Sequence, residues 1–222
     1  MVALALLLGG AQQPHSEREV YFRDSFDGTA LDLRWHVLHP SLATIEVADG
    51  ALSLTPTQGG LASIWFEDAE GVLVYRTVTG DFTATARVHA RRPGTSDPPS
   101  TPYRLGGLLA RRPGAVSGAR DSVHVALGAG VTGPCAEDKT TQDSDSDFVL
   151  YPIASADGEL RIRRRGASFE LAYRALGVLP WTVLRTHLRP DLPATLQVGM
   201  MAYSTPTPPD LVARFERFVL GR

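Results

Sequence analysis

The 222-residue chain has no asparagine, one lysine (Lys139) and one cysteine (Cys135). Without Asn there is no N-glycosylation acceptor, and one common ligand of sugars and of calcium is missing. A lone Cys excludes an internal disulfide, so stability must come from burial. Lys139 falls in a polar, Asp-rich stretch, which leaves Schiff-base chemistry without a buried candidate. No run of about 18 apolar residues occurs, so no helix is expected to span a membrane. Neither sign of charge dominates: the formal net charge is -2. Nothing steers such a chain toward nucleic acid or an acidic membrane surface. The start, "MVALALLLGGAQQ", has a short apolar stretch, Val2 to Leu8, and small residues Gly9 and Ala11 at signal-peptidase spacing. No basic residue precedes the stretch, as a leader would require. Residues 1–15 therefore read as an export leader with a late start or as a frayed apolar terminus, and the folded domain is expected over 16–222. The leader reading places the protein outside the cytoplasm, secreted or periplasmic; the frayed-terminus reading leaves a cytoplasmic location open.

What the chain does have is alternation with period two, punctuated by turn residues. "ATIEVADGALSLTP" reads as two strands joined at Asp49-Gly50, a dipeptide suited to a type I′ hairpin. In "DFTATARVHA", Phe82, Ala84, Ala86 and Val88 share one face, and Thr83, Thr85, Arg87 and His89 share the other. The last segment, "LVARFERFVL", breaks its own pattern because Phe218 falls on the charged side, which predicts a twist or bulge. Hydrophobic residues make up 43% of the chain, enough for a real core. About twelve short strands in one chain, with helical spacing rare, predict an all-β, two-sheet antiparallel sandwich. Long Pro-, Gly-, Ser- and Asp-rich connections are expected at 91–102, 111–121, 128–147 and 204–210.

Several stretches invite a chemical reading. "GAGVTG" (128–133) matches the G-x-G-x-x-G phosphate cradle. That cradle needs a helix to follow it, and here Pro134 and a polar run follow. Nucleotide binding is therefore not expected, and Gly128, Gly130 and Gly133 are read as a strand's exit into a long loop. "DSDSD" places Asp143, Asp145 and Asp147 like the first half of a calcium loop, but the remaining ligand positions are absent. These three are the candidate metal ligands, with a solvated loop as the plainer reading. In "WFEDAEG", Asp68 and Glu70 would point the same way on a strand and are the candidate acid pair for glycoside chemistry. "RIRRRG" sets Arg161, Arg163 and Arg165 on one strand face, suited to an acidic glycan or simply to a wet surface. The six histidines form no metal set by spacing. Aromatic rings can stack on sugars and arginine forks can bind their polar groups, so Trp65, Tyr75, Tyr103, Arg104 and Tyr203, near presumed strand ends and loops, are the candidate ligand-binding residues. Packing in the core is the competing role for each ring.

Taken together, "DSFDGTALDLRWHVL", "DGALSL", "VLVYRTVTGDFTATARV", "YRLGGLLARR", "LRIRRRGASFELAYRALGVLPWTVL" and "LQVGMMAYS" with "DLVARFERFVL" resemble, in order, concanavalin A-like lectin/glucanase domains. The nearest likeness is to the bacterial domain of unknown function 1349 group, over about residues 22–220. The resemblance implies a jelly roll of two curved antiparallel sheets with any ligand on the concave face or its loop rim. The superfamily mixes binding modules with glycosidases. Here the glucanase motif, Glu-x-Asp-x-x-Glu or Glu-x-Asp-x-Glu, has no match, because Glu67-Asp68-Ala69-Glu70 has the wrong spacing. The Asp/Asn metal pair of legume lectins cannot be completed without Asn. The leading expectation is a non-catalytic module that binds a carbohydrate or other extracellular polymer. A glycoside hydrolase using Asp68 and Glu70, and a structural or protein-interaction module of the cell envelope, are the alternatives.

Overall fold

A computed structural model describes residues 20–57, 65–67, 69–114, 121–204 and 210–222. The apolar stretch of residues 1–15 and the candidate acid Asp68 lie outside the described residues. The strands are β1 (Val20–Asp24), β2 (His36–Leu38), β3 (Ala43–Ala48), β4 (Ala51–Pro56) and β5 (Val72–Thr79). Next come β6 (Phe82–Arg91), β7 (Arg104–Arg111), β8 (Ser122–Gly130), β9 (Gly133–Gln142) and β10 (Asp145–Pro152). The chain closes with β11 (Asp157–Arg165), β12 (Ser168–Arg174), β13 (Thr182–Leu188), β14 (Thr195–Ser204) and β15 (Val212–Gly221). One 3-10 turn, Pro40–Leu42, is the sole helical element among the described residues. Two sheets result, one of eight strands in the order β13-β12-β11-β6-β15-β4-β3, with β1 also paired to β15, and one of seven in the order β10-β9-β8-β7-β14-β5-β2. The architecture is the expected antiparallel jelly-roll sandwich.

Alternation decides which side chains meet between the sheets. Phe82, Ala84, Ala86 and Val88 of β6 are all at most 2% exposed and face Leu108, Ala110, Val123 and Val125 of the other sheet's core. Burying each large apolar side chain contributes about 1.5–3 kcal/mol. The irregularity expected near Phe218 is a bulge. Phe215 pairs with Val88 and Arg217 with Arg87, which makes Glu216 the extra residue. The bulge reverses the parity of β15, so both Phe215 and Phe218 reach the core, fully buried. Asp49 and Gly50 both take positive φ, 51° and 69°, as a type I′ hairpin turn requires.

The long loop expected over 128–147 is instead two hairpins. Gly130 pairs with Gly133 across a two-residue turn, and β9 and β10 follow. The glycines of the apparent phosphate cradle thus close a β-hairpin with a strand, not a helix, on their C-terminal side. β9 hid its nature because its inward face is polar where it meets the rim. Buried Asp138 there receives His187 Nε2 at 2.6 Å and Arg185 Nε at 3.2 Å from β13 of the other sheet.

At the centre of the sandwich the sheets approach so closely that position 106 must lack a side chain. A Cβ on Gly106 would lie 2.4 Å from the Cβ of Ala213. Gly106→Ala is expected to destabilise the protein by about 1–3 kcal/mol. Gly106→Ala with Ala213→Gly should recover much of that loss, and urea unfolding of the three variants checks it.

Candidate functional site

The seven-stranded sheet is unusual in burying its outer face as well. Residues whose neighbours enter the intersheet core form a second apolar cluster: Leu73, Leu105, Leu109, Ala126, Cys135 and Met201, with Trp65 and Tyr203. Strand register arranges this face in rows. His36, Tyr75, Gly199, Leu109, His124, Lys139 and Phe148 lie side by side across the seven strands. Two glycines sit mid-sheet: a Cβ on Gly199 would lie 1.9 Å from the Val74 carbonyl oxygen, and one on Gly107 2.2 Å from that of Val125. Both carbonyls belong to neighbouring strands of the same sheet, so close strand approach excludes a side chain at either position. The segment 65–67 lies against this face. Glu67 N–H donates to Ser146 Oγ at 2.7 Å, and Phe66 meets Phe148 edge to face.

Charged side chains are embedded in the same face. Glu137, on β9, is fully buried. Lys139 Nζ lies 2.9 Å from Glu137 Oε1 and His124 Nε2 lies 3.2 Å from Glu137 Oε2, while Tyr203 Oη donates to the same oxygen. Burial pushes the Glu137 carboxyl upward, but the Lys139 ammonium together with His124 and Tyr203 outweighs it and holds the carboxyl at about 2. Burial also keeps His124 neutral, pulling it below its ordinary 6.5 against the attraction of Glu137. The Cys135 thiol is pushed to about 12, by burial and then by Glu137, and is therefore no nucleophile near neutral pH. The Lys139 ammonium is ringed by Phe66, Phe148 and Tyr203, with ring centres at 5.5, 5.2 and 5.2 Å. The expectation that the lone lysine sits in a solvated loop is thus corrected: Lys139 is a buried strand residue, committed to an ion pair and an aromatic cage. A second network lies along the next row, where Arg111 binds Glu70 and donates to Gln197 Oε1 at 3.2 Å.

Strain and an unsatisfied donor mark the segment over this face. Trp65, Glu67 and Tyr103 hold φ of 57°, 50° and 60°, which non-glycine residues adopt at an energetic cost. Among the described residues the buried indole N–H of Trp65 has no acceptor. Leaving such a donor unmade costs about 1–3 kcal/mol.

Of the residues read from the sequence, Trp65, Tyr75, Tyr103 and Tyr203 come together on this face, outside the intersheet core. Tyr75 and Tyr103 are half-buried, while Trp65 and Tyr203 are 6% and 3% exposed. Arg104 does not join them. It is buried at the strand's start, on the inward parity of Gly106, and donates to the Pro102 carbonyl at 2.9 Å. Glu70 is tied to Arg111 and to His39 Nε2, the latter at 2.7 Å, a poor setting for a free catalytic acid. Asp143 sits in the β9–β10 turn, and Asp145 and Asp147 follow on β10. Asp147 is held by Arg185 at 2.6 Å. Among the described residues no three His, Cys, Asp or Glu side chains group as metal ligands. Sequence reasoning missed Glu137, His124 and Lys139 as site residues. The available signal was their common parity with Cys135 and Ala126 on paired strands.

No family profile matches the chain, and no curated protein matches it by sequence. Solved structures do match by shape. A xylan β-1,4-xylosidase from Bacillus halodurans C-125 aligns with a TM-score of 0.70 at 18% identity, over 96% of this chain and 41% of that one. The chain thus spans about two fifths of the xylosidase's length. A basic winged bean lectin, solved with Tn-antigen, aligns at 0.61 and 10% identity over 90% and 96% of the two chains. A pseudo β-1,3-glucanase of Mycobacterium tuberculosis aligns at 0.57 and 13% identity over 91% and 98%. At these identities the likeness is one of fold, a two-sheet antiparallel jelly roll that the lectins share.

The buried ion pair gives a test of this geometry. Glu137→Gln is expected to cost about 3–5 kcal/mol by stranding the Lys139 charge, and Lys139→Met alone should cost a similar amount. The double variant should cost far less than the sum, which a double-mutant cycle in urea would read. The pH dependence follows from the directions above. A buried neutral His loses its stabilising contribution as pH falls below the unfolded value of 6.5, and Glu137 loses its own as pH falls from 4.5 toward about 2. The thermal midpoint should therefore drop between pH 7 and pH 5, and His124→Gln should flatten that part of the profile.

Proposed function

We propose that the protein is a non-catalytic module that binds a carbohydrate or similar extracellular polymer on the outer face of its seven-stranded sheet. The observation that carries this reading is where the aromatic rings lie. Trp65, Tyr75, Tyr103 and Tyr203 share the outer face of one sheet, outside the core between the sheets, and Tyr75 and Tyr103 remain partly open to solvent there. Half-buried Tyr75, with His36 against it at 5.5 Å between ring centres, and half-buried Tyr103 offer surfaces on which a sugar ring can stack. The buried Trp65 N–H has no acceptor among the described residues, and a ligand hydroxyl can supply one. Gln197 and Arg111 stand in the next row as donors and acceptors. The fold is one that lectins and a xylosidase also contain, which supports a sugar ligand.

A binding role fits this face better than a hydrolytic one. Two of the described acids on this face, Glu70 and Glu137, are locked in ion pairs, which suits them to holding structure more than to giving a proton. The finer assignment, to the domain of unknown function 1349 group, is part of this proposal and rests on the sequence segments alone, since no family profile matches the chain.

A glycan array followed by calorimetry tests the reading. Binding of at least one neutral oligosaccharide is expected, with Tyr75→Ala and Tyr103→Ala each weakening it about tenfold and leaving the thermal midpoint nearly unchanged. Unaltered binding in both variants would remove the stacking surface and the proposal with it.

A further inference from the structure

The eight-stranded sheet carries a second feature on its own outer face, remote from the aromatic cluster. Across β15, β6, β11 and β12, register pairing sets Arg217 beside Arg87, Arg87 beside Glu159, and Glu159 beside Arg174. These four line a cavity of about 230 Å³ with Thr85 and Trp181. Like charges directly opposite on adjacent strands repel, so the Arg217–Arg87 pair is unfavourable as it stands. Carboxylates offset only the Arg87 side of it. Among the described residues Arg217 has no ion-pair or hydrogen-bond partner. Arg87 reaches Glu159 and Glu216 only at 3.6 and 3.5 Å, and its buried Nε has no acceptor among the described residues. Glu159 gives its stronger contact to Arg174. The bulge at Glu216 is what turns Arg217 outward beside Arg87.

Trp181 fixes the other end of the cavity. The Arg174 and Arg161 guanidinium carbons lie 4.4 and 4.5 Å from its ring centre, so the indole orders both arginines. The result is a preformed set of guanidinium forks with an excess of positive charge, on a protein whose net charge is -2.

We propose that this cavity binds a sugar ring bearing a single oxyanion, a carboxylate or a sulfate ester, with Arg87 and Arg217 as the fork that receives it. Arg–oxyanion contacts are geometrically matched and strong. The cavity also holds groups that a bare anion does not use. Glu159 accepts hydrogen bonds from hydroxyls and repels multiply charged phosphates, and the Thr85 hydroxyl can donate or accept. The volume suits one ring, not an extended chain. This site is independent of the aromatic face.

Titration of the full chain with an oligogalacturonate, a sulfated oligosaccharide, a neutral oligosaccharide of equal length and inorganic sulfate tests it. Calorimetry and thermal shift are the readouts. One or both anionic sugars should bind, with affinity falling as salt rises, and the two arms distinguish carboxylate from sulfate ester. Arg217→Gln and Arg87→Gln should each weaken binding at least tenfold. Arg217→Gln should also raise the midpoint of the unliganded protein, because it relieves the repulsion; a merely structural arginine would lower it. Tyr75→Ala should leave anionic-sugar binding untouched, which separates this site from the aromatic face. Binding that survives both arginine variants, binding of the neutral sugar alone, response to inorganic sulfate with no gain from the sugar ring, or no binding at all would overturn the proposal.

Discussion

Glu137 and Lys139 stand two residues apart on one strand, pointing the same way, and neither side chain has water to solvate it. Each buried charge would be prohibitive alone, and each is tolerated because the other lies 2.9 Å away. The second carboxylate oxygen needs its own donors, which His124 and Tyr203 provide. The ammonium needs more than one carboxylate, and three aromatic faces surround it. Phe66 belongs to the segment that runs over the sheet, so satisfying one ion pair fixes that segment, the tyrosine on β14 and the histidine on β8 together. The order of the whole outer face follows from this one desolvation problem.

The same constraint settles the face's chemistry. A carboxylate held at about 2 is charged at any physiological pH, and the imidazole beside it is neutral. The thiol at Cys135 stays protonated. Groups pinned in this way keep one charge state across the physiological range. The opposite side of the sandwich follows another logic. There the arginines lie at the surface, their repulsion is left standing, and the bulge that returns Phe218 to the core also brings Arg217 alongside Arg87. One backbone irregularity thus serves packing on one face and concentrates charge on the other.

The fold was readable wherever one face of a strand was apolar and the other polar. β6 is the clearest case: Phe82, Ala84, Ala86 and Val88 point inward as their spacing demands. The bulge in β15 was legible too, because Phe218 violated a pattern that its neighbours kept. β9 was not. "PCAEDKTTQ" places polar residues on both faces, since the outward side holds a buried ion pair and the inward side meets His187 and Arg185 at the rim. Burial of charge defeats hydrophobic patterning, and the stretch read as a loop. Trp65, Tyr75, Tyr103 and Tyr203 share the outer face of one sheet while Arg104 points inward, because parity, not proximity to a tyrosine, decides where a strand residue points.

By itself, then, the sequence determined the all-β class, the two-layer closure and the alternation that fills the core, because period-two burial is a local property written residue by residue. It also ruled out disulfides and an N-linked glycan. The tertiary structure decided which polar residues share a face. Glu137 meets Tyr203 across 66 positions of chain, and Arg87 meets Arg217 on a neighbouring strand, because register and sheet order bring them together. Charge pairing and charge crowding are properties of distance in space, and distance in space between remote strands is fixed only when the two sheets close.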